Sequence, residues 1–153
     1  MCRQVETNAP GQSPETAANP VGAFSYNSGT TLRTFNFASV TDGLSNTLLY
    51  CEDAGRADLY GPKKNLRSSN TVGSASWADD LNEFGLSGCD SVGDRPGTQA
   101  INCSSDGEPY SFHSGGINVG LCDGTVRFVN QSVSMQVFAA FVTARGGEVF
   151  VLD

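Results

Sequence analysis

Histidine and tryptophan each occur once in these 153 residues, and charged side chains make up only 16% of the chain. A structural zinc site draws together four Cys or His ligands. Five cysteines at positions 2, 51, 89, 103 and 122, none in a Cys-x-x-Cys spacing, with the lone His113, do not make that pattern. Cations are scarce too, nine Lys and Arg standing against sixteen Asp and Glu for a formal charge of −7. The densest basic stretch is Lys63-Lys64-Asn65-Leu66-Arg67. Such a composition is a poor match for nucleic acid or an anionic membrane. Apolar runs are short, the longest being residues 137–142, well under the ~20 residues that span a bilayer. Residues 1–20 are polar, carry Arg3, Glu6 and Glu15, and show no signal-peptide pattern. Gly-x-Ser-x-Gly and the twelve-residue EF-hand loop are also missing.

Glycine, by contrast, is plentiful: eighteen Gly and six Pro imply a chain rich in turns. The length suits one domain with one core, expected over residues 21–153 behind a flexible segment of residues 1–20. Residues 117–122 and 125–129 are apolar runs flanking Asp123-Gly124, a pair that favours a type I′ hairpin in which both central residues take positive φ. Ile117, Val119 and Leu121 then point one way and Asn118, Gly120 and Cys122 the other, with Val126, Phe128 and Asn130 extending the alternation. Residues 31–40 alternate as a strand before an Asp42-Gly43 turn, and residues 47–52 form a second strand after it. In residues 132–146 the side chains Val133, Val137, Phe138, Phe141 and Val142 share one helical face, with Ser132 as N-cap and Gly146 just past the end. This helix is expected to pack on the hairpin. Residues 148–152 read as a short edge strand, residues 76–84 as one helical turn, and the rest of 53–108 as long surface loops. The fold class is therefore α+β, mostly antiparallel sheet with one C-terminal helix.

The cysteines read best as disulfides, which favour an oxidising compartment outside the cytoplasm. Cys89 and Cys103 bracket a Gly-, Asp- and Ser-rich loop and are paired first. Cys51 and Cys122 end two apolar runs and form a second candidate pair, leaving Cys2 over. Asp79 and Asp80, with Glu83 and Asp90 or Asp94, carry enough oxygen ligands for calcium, set against an ordinary solvated acidic loop. Asp42, Ser45 and Asn46 suit either local turn bonding or a cation or sugar contact. Catalysis is not expected: Asp123 falls in a turn and Ser114 in a Gly-Gly loop, and His113 reads as a structural residue bonded to backbone or a carboxylate. Trp77, Tyr60 and Phe84 suit sugar stacking or, as the plainer reading, core packing.

His113, nine residues and Asp123-Gly124 within Phe-His-Ser-Gly-Gly-Ile-Asn-Val-Gly-Leu-Cys-Asp-Gly-Thr-Val-Arg-Phe resemble the C-terminal signature of a bacterial pseudopilin-like family common in planctomycetes. Asp42-Gly43-Leu44-Ser45-Asn46-Thr47 and Thr143-Ala144-Arg145-Gly146-Gly147-Glu148-Val149 resemble two further motifs of that family. The resemblance implies a pilin-like head of a type II secretion or type IV pilus-like fibre, whose partners are other pseudopilin subunits. Proteins of this kind begin with an apolar helix that anchors them in the membrane. No such helix precedes the head here, so a head domain without its anchor is expected, at the cell surface or in the periplasm. Several pseudopilins bind calcium in loops. The family has also been described as solute-binding-like, which keeps a polysaccharide-binding module as the alternative.

Overall fold

The computed structural model describes residues 3–4, 36–73, 75–76 and 83–147. In chain order these hold β1 (Arg3–Gln4), β2 (Leu48–Cys51), β3 (Leu59–Tyr60), β4 (Leu66–Ser68), β5 (Glu83–Phe84), β6 (Gly116–Leu121), β7 (Val126–Asn130) and α1 (Met135–Val142). β2, β6 and β7 make an antiparallel sheet in that order, β3 and β4 a two-stranded antiparallel ribbon, and β1 and β5 a parallel pair. The class is α+β.

The β6–β7 hairpin forms where expected, but its turn differs. Leu121 N donates to Thr125 O at 2.9 Å and Gly124 N to Leu121 O at 3.0 Å, so three residues, Cys122-Asp123-Gly124, make the connection. Of Asp123 and Gly124 only Gly124 has positive φ, 85°. This is a type I turn closed by a left-handed glycine, which leaves Asp123 unstrained where a type I′ turn would not. Asp123 Oδ1 accepts from Thr125 N at 2.9 Å and Thr125 Oγ1 at 2.7 Å, fixing the corner.

Pairing register decides the faces, since residues directly opposite share a side. Ile117 lies opposite Val129 and faces the core, whereas Asn118 lies opposite Phe128 and Gly120 opposite Val126. Val126 and Phe128 therefore point outward, 63% and 51% exposed. Tyr50 joins them: it pairs with Gly120, where an added Cβ would sit 2.3 Å from the Tyr50 ring. A glycine is needed at 120 because the tyrosine ring lies flat over it.

On the inner face Leu48, Ile117, Val119, Leu121 and Val129 pack with Phe138, Phe141 and Val142 of α1, so the helix covers the hairpin as its periodicity implies. Complete burial of each large apolar side chain contributes about 1.5–3 kcal/mol. The caps fall inside the expected limits. Ser134, not Ser132, accepts from Val137 N at 3.3 Å, while Ser132 is held by Asn130 Oδ1 in the preceding turn. Thr143, not Gly146, ends the helix.

Four local expectations are corrected. Phe37–Ser39 is a 3-10 turn rather than strand, because Asn36 Oδ1 accepts from Ala38 N at 2.9 Å and winds the chain there. Phe84, expected to end a helical turn, lies in β5 beside Gln4. Arg3 and Gln4, expected to be coil, pair with β5. Within the expected loop region, β3 and β4 form a ribbon over a Pro62–Lys64 turn. Residues 5–35, 77–82 and 148–153, including the expected strands at 31–35 and 148–152, lie outside the described residues.

Candidate functional site

Three stretches far apart in sequence meet at the Asp123 end of the sheet. Asp42 accepts from Gly146 N at 2.7 Å through Oδ2 and from Gly147 N at 3.0 Å through Oδ1. Thr41 N donates to Ala144 O at 2.9 Å and Arg145 Nε to Ser39 O at 2.7 Å, completing a clasp between residues 39–42 and 144–147. Asp42 thus caps the glycines after α1 and not Ser45 or Asn46. Asn46 Nδ2 instead donates to Asp42 O at 3.2 Å, Thr47 Oγ1 to Gly43 O at 3.1 Å, and Gly43 turns at φ 97°. The hairpin corner is tied to this turn by Asp123 N to Leu44 O at 3.1 Å and Cys122 N to Thr47 O at 2.9 Å. With both carboxylate oxygens of Asp42 committed to backbone, the cluster is a fastening. Ser45 stays exposed beside it.

His113 stands at the opposite end of β6. Its Nε2 lies 3.0 Å from Glu52 Oε1, which also accepts from Asn118 Nδ2 at 3.0 Å, while Glu52 Oε2 accepts from Asn118 N at 2.8 Å. Partial burial pushes the Glu52 carboxyl up, but the two Asn118 donors and the facing His113 outweigh it and hold its pKa below the usual value. His113 therefore bonds a carboxylate beside the hairpin, as its position implies. The adjacent Ser111 Oγ is occupied by backbone, donating to Gly116 O at 2.8 Å and accepting from His113 N at 3.0 Å.

Cys89 and Cys103 form the expected disulfide, with Cα atoms 5.6 Å apart. Cys51 and Cys122 are not bonded to each other, and Cys122 carries a free thiol that burial pushes up to about 11. The reason is sidedness: Cys51 joins the main core with Leu48, whereas Cys122 packs with Val40, Leu49 and Ala144 in a separate cluster.

Of the calcium candidates, Asp79 and Asp80 lie outside the described residues. Asp90 Oδ1 accepts from Val92 N, Gly93 N and Asp94 N at 2.9, 2.9 and 3.0 Å, so it is a turn cap whose pKa those amides hold down. Of the sugar candidates, Trp77 lies outside the described residues, and Phe84 is 1% exposed in the core, which removes it as a contact. Tyr60 is half-buried. Its ring meets Phe112 edge-on at 5.0 Å, and Phe112 in turn meets Tyr110 at 5.9 Å. Phe112 keeps 47% of its surface exposed.

Sequence reading missed a buried ionic cluster. Asp53 and Arg56 pair at 2.5 Å with side chains 1% and 6% exposed, and Glu108 is fully buried, accepting from Ser87 N at 3.1 Å with Arg95 Nη1 at 3.8 Å. Arg95 also pairs with Asp106 at 3.0 Å. Burial pushes Asp53 up to about 7 against the pull of Arg56, and pushes Glu108 up to about 7 against the Ser87 amide and Arg95. Glu108 Oε2 has no hydrogen-bond partner among the described residues. Nothing periodic marks these positions in the sequence; five charges in a chain with few are the sole signal. Among the described residues no three His, Cys, Asp or Glu side chains group as metal ligands.

A family model described as "Protein of unknown function (DUF1559)" matches residues 3–136. No curated protein and no solved structure matches the chain.

Proposed function

The chain belongs to the bacterial DUF1559 family, and from that premise we propose that it is a non-catalytic, extracytoplasmic head domain, a structural subunit of a pseudopilin-like fibre. The observation that carries this reading is the outer face of the three-stranded sheet. Tyr50, Val126 and Phe128 stand 44%, 63% and 51% exposed on one side, and β7 is an edge strand, paired on one flank to β6 among the described residues. Solvent-facing apolar side chains on a sheet with an open edge are what a lateral subunit contact needs. The Cys89–Cys103 disulfide accords with assembly outside the cytoplasm. The signature residues support the role by building the head: Asp42, Gly146 and Gly147 fasten it at one end and His113 with Glu52 at the other.

The test is Phe128→Asp in the full-length gene product, expressed in its source cells. Loss of the chain from the sheared surface fraction, with the purified domain melting within a few degrees of the parent, is the expected result. Fibre incorporation at parental yield would overturn the proposal.

A further inference from the structure

The tip of the β3–β4 ribbon is built against its own backbone preference. Pro62-Lys63-Lys64-Asn65 closes with Asn65 N donating to Pro62 O at 3.3 Å, and Lys63 and Lys64 both take left-handed conformations, at φ 57° and 60°. This is the type I′ geometry that Asn-Gly satisfies without strain and lysine does not. Both lysines are exposed at this corner. Lys63 has no carboxylate partner among the described residues, and the Lys64 ammonium donates to the Phe112 carbonyl, drawing the tip onto the aromatic group.

That group is Phe112, braced edge-on by Tyr60 and Tyr110 at 5.0 and 5.9 Å. Gly55, at φ 101°, lets the Tyr60 ring seat against backbone, since a Cβ there would lie 2.8 Å from Tyr60 Cδ2. Leu66 and Val92, 49% and 60% exposed, belong to the ribbon and to the neighbouring 90–94 turn that Arg67 joins to it by bonding Gly93 O at 2.9 Å. The nearby carboxylates are already engaged, Asp94 with Arg67 at 2.8 Å and Glu52 with His113 at 3.0 Å. Asp58 bonds Asn70 N and Asp90 caps its own turn, so Lys63 and Lys64 stand out as cations that no carboxylate pairs among the described residues, on a chain of net charge −7. Charges beyond about 10 Å are largely screened at 0.1 M salt, so a bound segment responds to this corner rather than to the whole molecule.

The geometry points to a contact site for an anionic polysaccharide, in which Phe112, flanked by Tyr60, stacks on a sugar ring while Lys63 and Lys64 pair with its carboxylate or sulfate groups. An aromatic surface braced by its neighbours and set beside lysines suits a ring that carries charge. This site is independent of the outer sheet face proposed for assembly.

Affinity electrophoresis of the whole chain tests it, in gels holding polygalacturonate, dextran sulfate or neutral dextran, with poly-L-glutamate as soluble competitor. Retardation by polygalacturonate or dextran sulfate is expected, the two arms separating carboxylate from sulfate recognition, with little effect of neutral dextran. The double variant Lys63→Asn/Lys64→Gly suits the turn better than the native pair, so it folds while losing the charges. It and Phe112→Ala should each bind about fivefold more weakly, the size of an exposed ion-pair or stacking contact, with the melting temperature of the double variant not lowered. Absence of retardation, equal retardation by neutral dextran, equal competition by poly-L-glutamate, or unchanged binding by both variants would each overturn the proposal.

Discussion

The sheet with its helix and the loops of residues 53–108 share one apolar core, to which the loops send Phe84, Leu86, Ala100 and Ile101, but the loops add polar fasteners of their own. In the first, Leu48, Ile117, Val119, Leu121 and Val129 meet Phe138, Phe141 and Val142, and the stabilising term is apolar area removed from water. In the second, the fasteners are the Cys89–Cys103 bond, the Asp53–Arg56 pair, the Glu108 contact with Ser87 N, and Tyr110 Oη donating to Gly61 O at 2.8 Å. Apolar packing is non-directional and tolerates repacking, whereas each polar fastener acts at one place and leaves a costly orphan when its partner is removed.

Removing core volume should show the larger effect. Phe138→Ala is expected to cost about 3–5 kcal/mol, measured by denaturant unfolding, with sheet and loops lost together. If the loops survived that loss as a separate transition, the two regions would be independent units. Replacing Cys89 and Cys103 by serine should cost about 3 kcal/mol, from a loop whose ends are 14 residues apart. Amide exchange should then rise first in residues 90–108 while β6 and β7 stay protected; a uniform rise would erase the contrast.

The smallest and most diagnostic effect is the response to pH. Asp53 and Glu108 have folded pKa values raised to about 7, against an ordinary carboxylate near 4. The native chain therefore holds protons that the unfolded chain has released. Their contribution is fully present below about pH 4 and is lost as pH rises through 7, by at most ~1.4 kcal/mol per pH unit for each group. Glu52 works in the opposite sense: its lowered pKa adds stability that disappears as the pH falls through it. Melting temperatures should thus peak in mild acid and decline from pH 5 to pH 8. Glu108→Gln should flatten that decline; an unaltered slope would place its origin elsewhere.

How much of this was readable from residue order follows the same division. The hairpin and helix announce themselves because burial on one side imposes a period of two or of 3.6 on apolar positions, as in Ile117, Val119 and Leu121 or Phe138, Phe141 and Val142. The Cys89–Cys103 pairing was legible from the loop it closes. The Cys51–Cys122 pairing failed because strand neighbours on opposite faces cannot bond, and sidedness at Cys51 depends on an irregularity between Leu48 and Tyr50 that no pattern marks. Asp123-Gly124 marks the place of the turn but not its geometry, since the same dipeptide serves both loop lengths. The residues around Asp42 suggest a local cap, yet its partners are supplied by the far end of the chain. The ionic cluster stayed hidden for the same reason: Asp53, Arg56, Arg95, Asp106 and Glu108 meet through tertiary folding alone. The Lys63-Lys64 turn was the least legible, because backbone preference argues against it.

The clasp between Asp42 and Gly146-Gly147 also sets an order in time. Its bonds join positions 104 and 105 apart in the chain, and the pairing of Leu48 with Leu121 is also long-range. Closing such separations early is entropically expensive, so they form after local structure has appeared. The β6–β7 hairpin is the most local of the sheet contacts and is synthesised late. A growing chain must carry Leu48, Leu49 and Tyr50 unpaired until that hairpin emerges, and it gains its last fastening only when the residues behind α1 are free. Completion of the head therefore coincides with completion of the segment that fastens it.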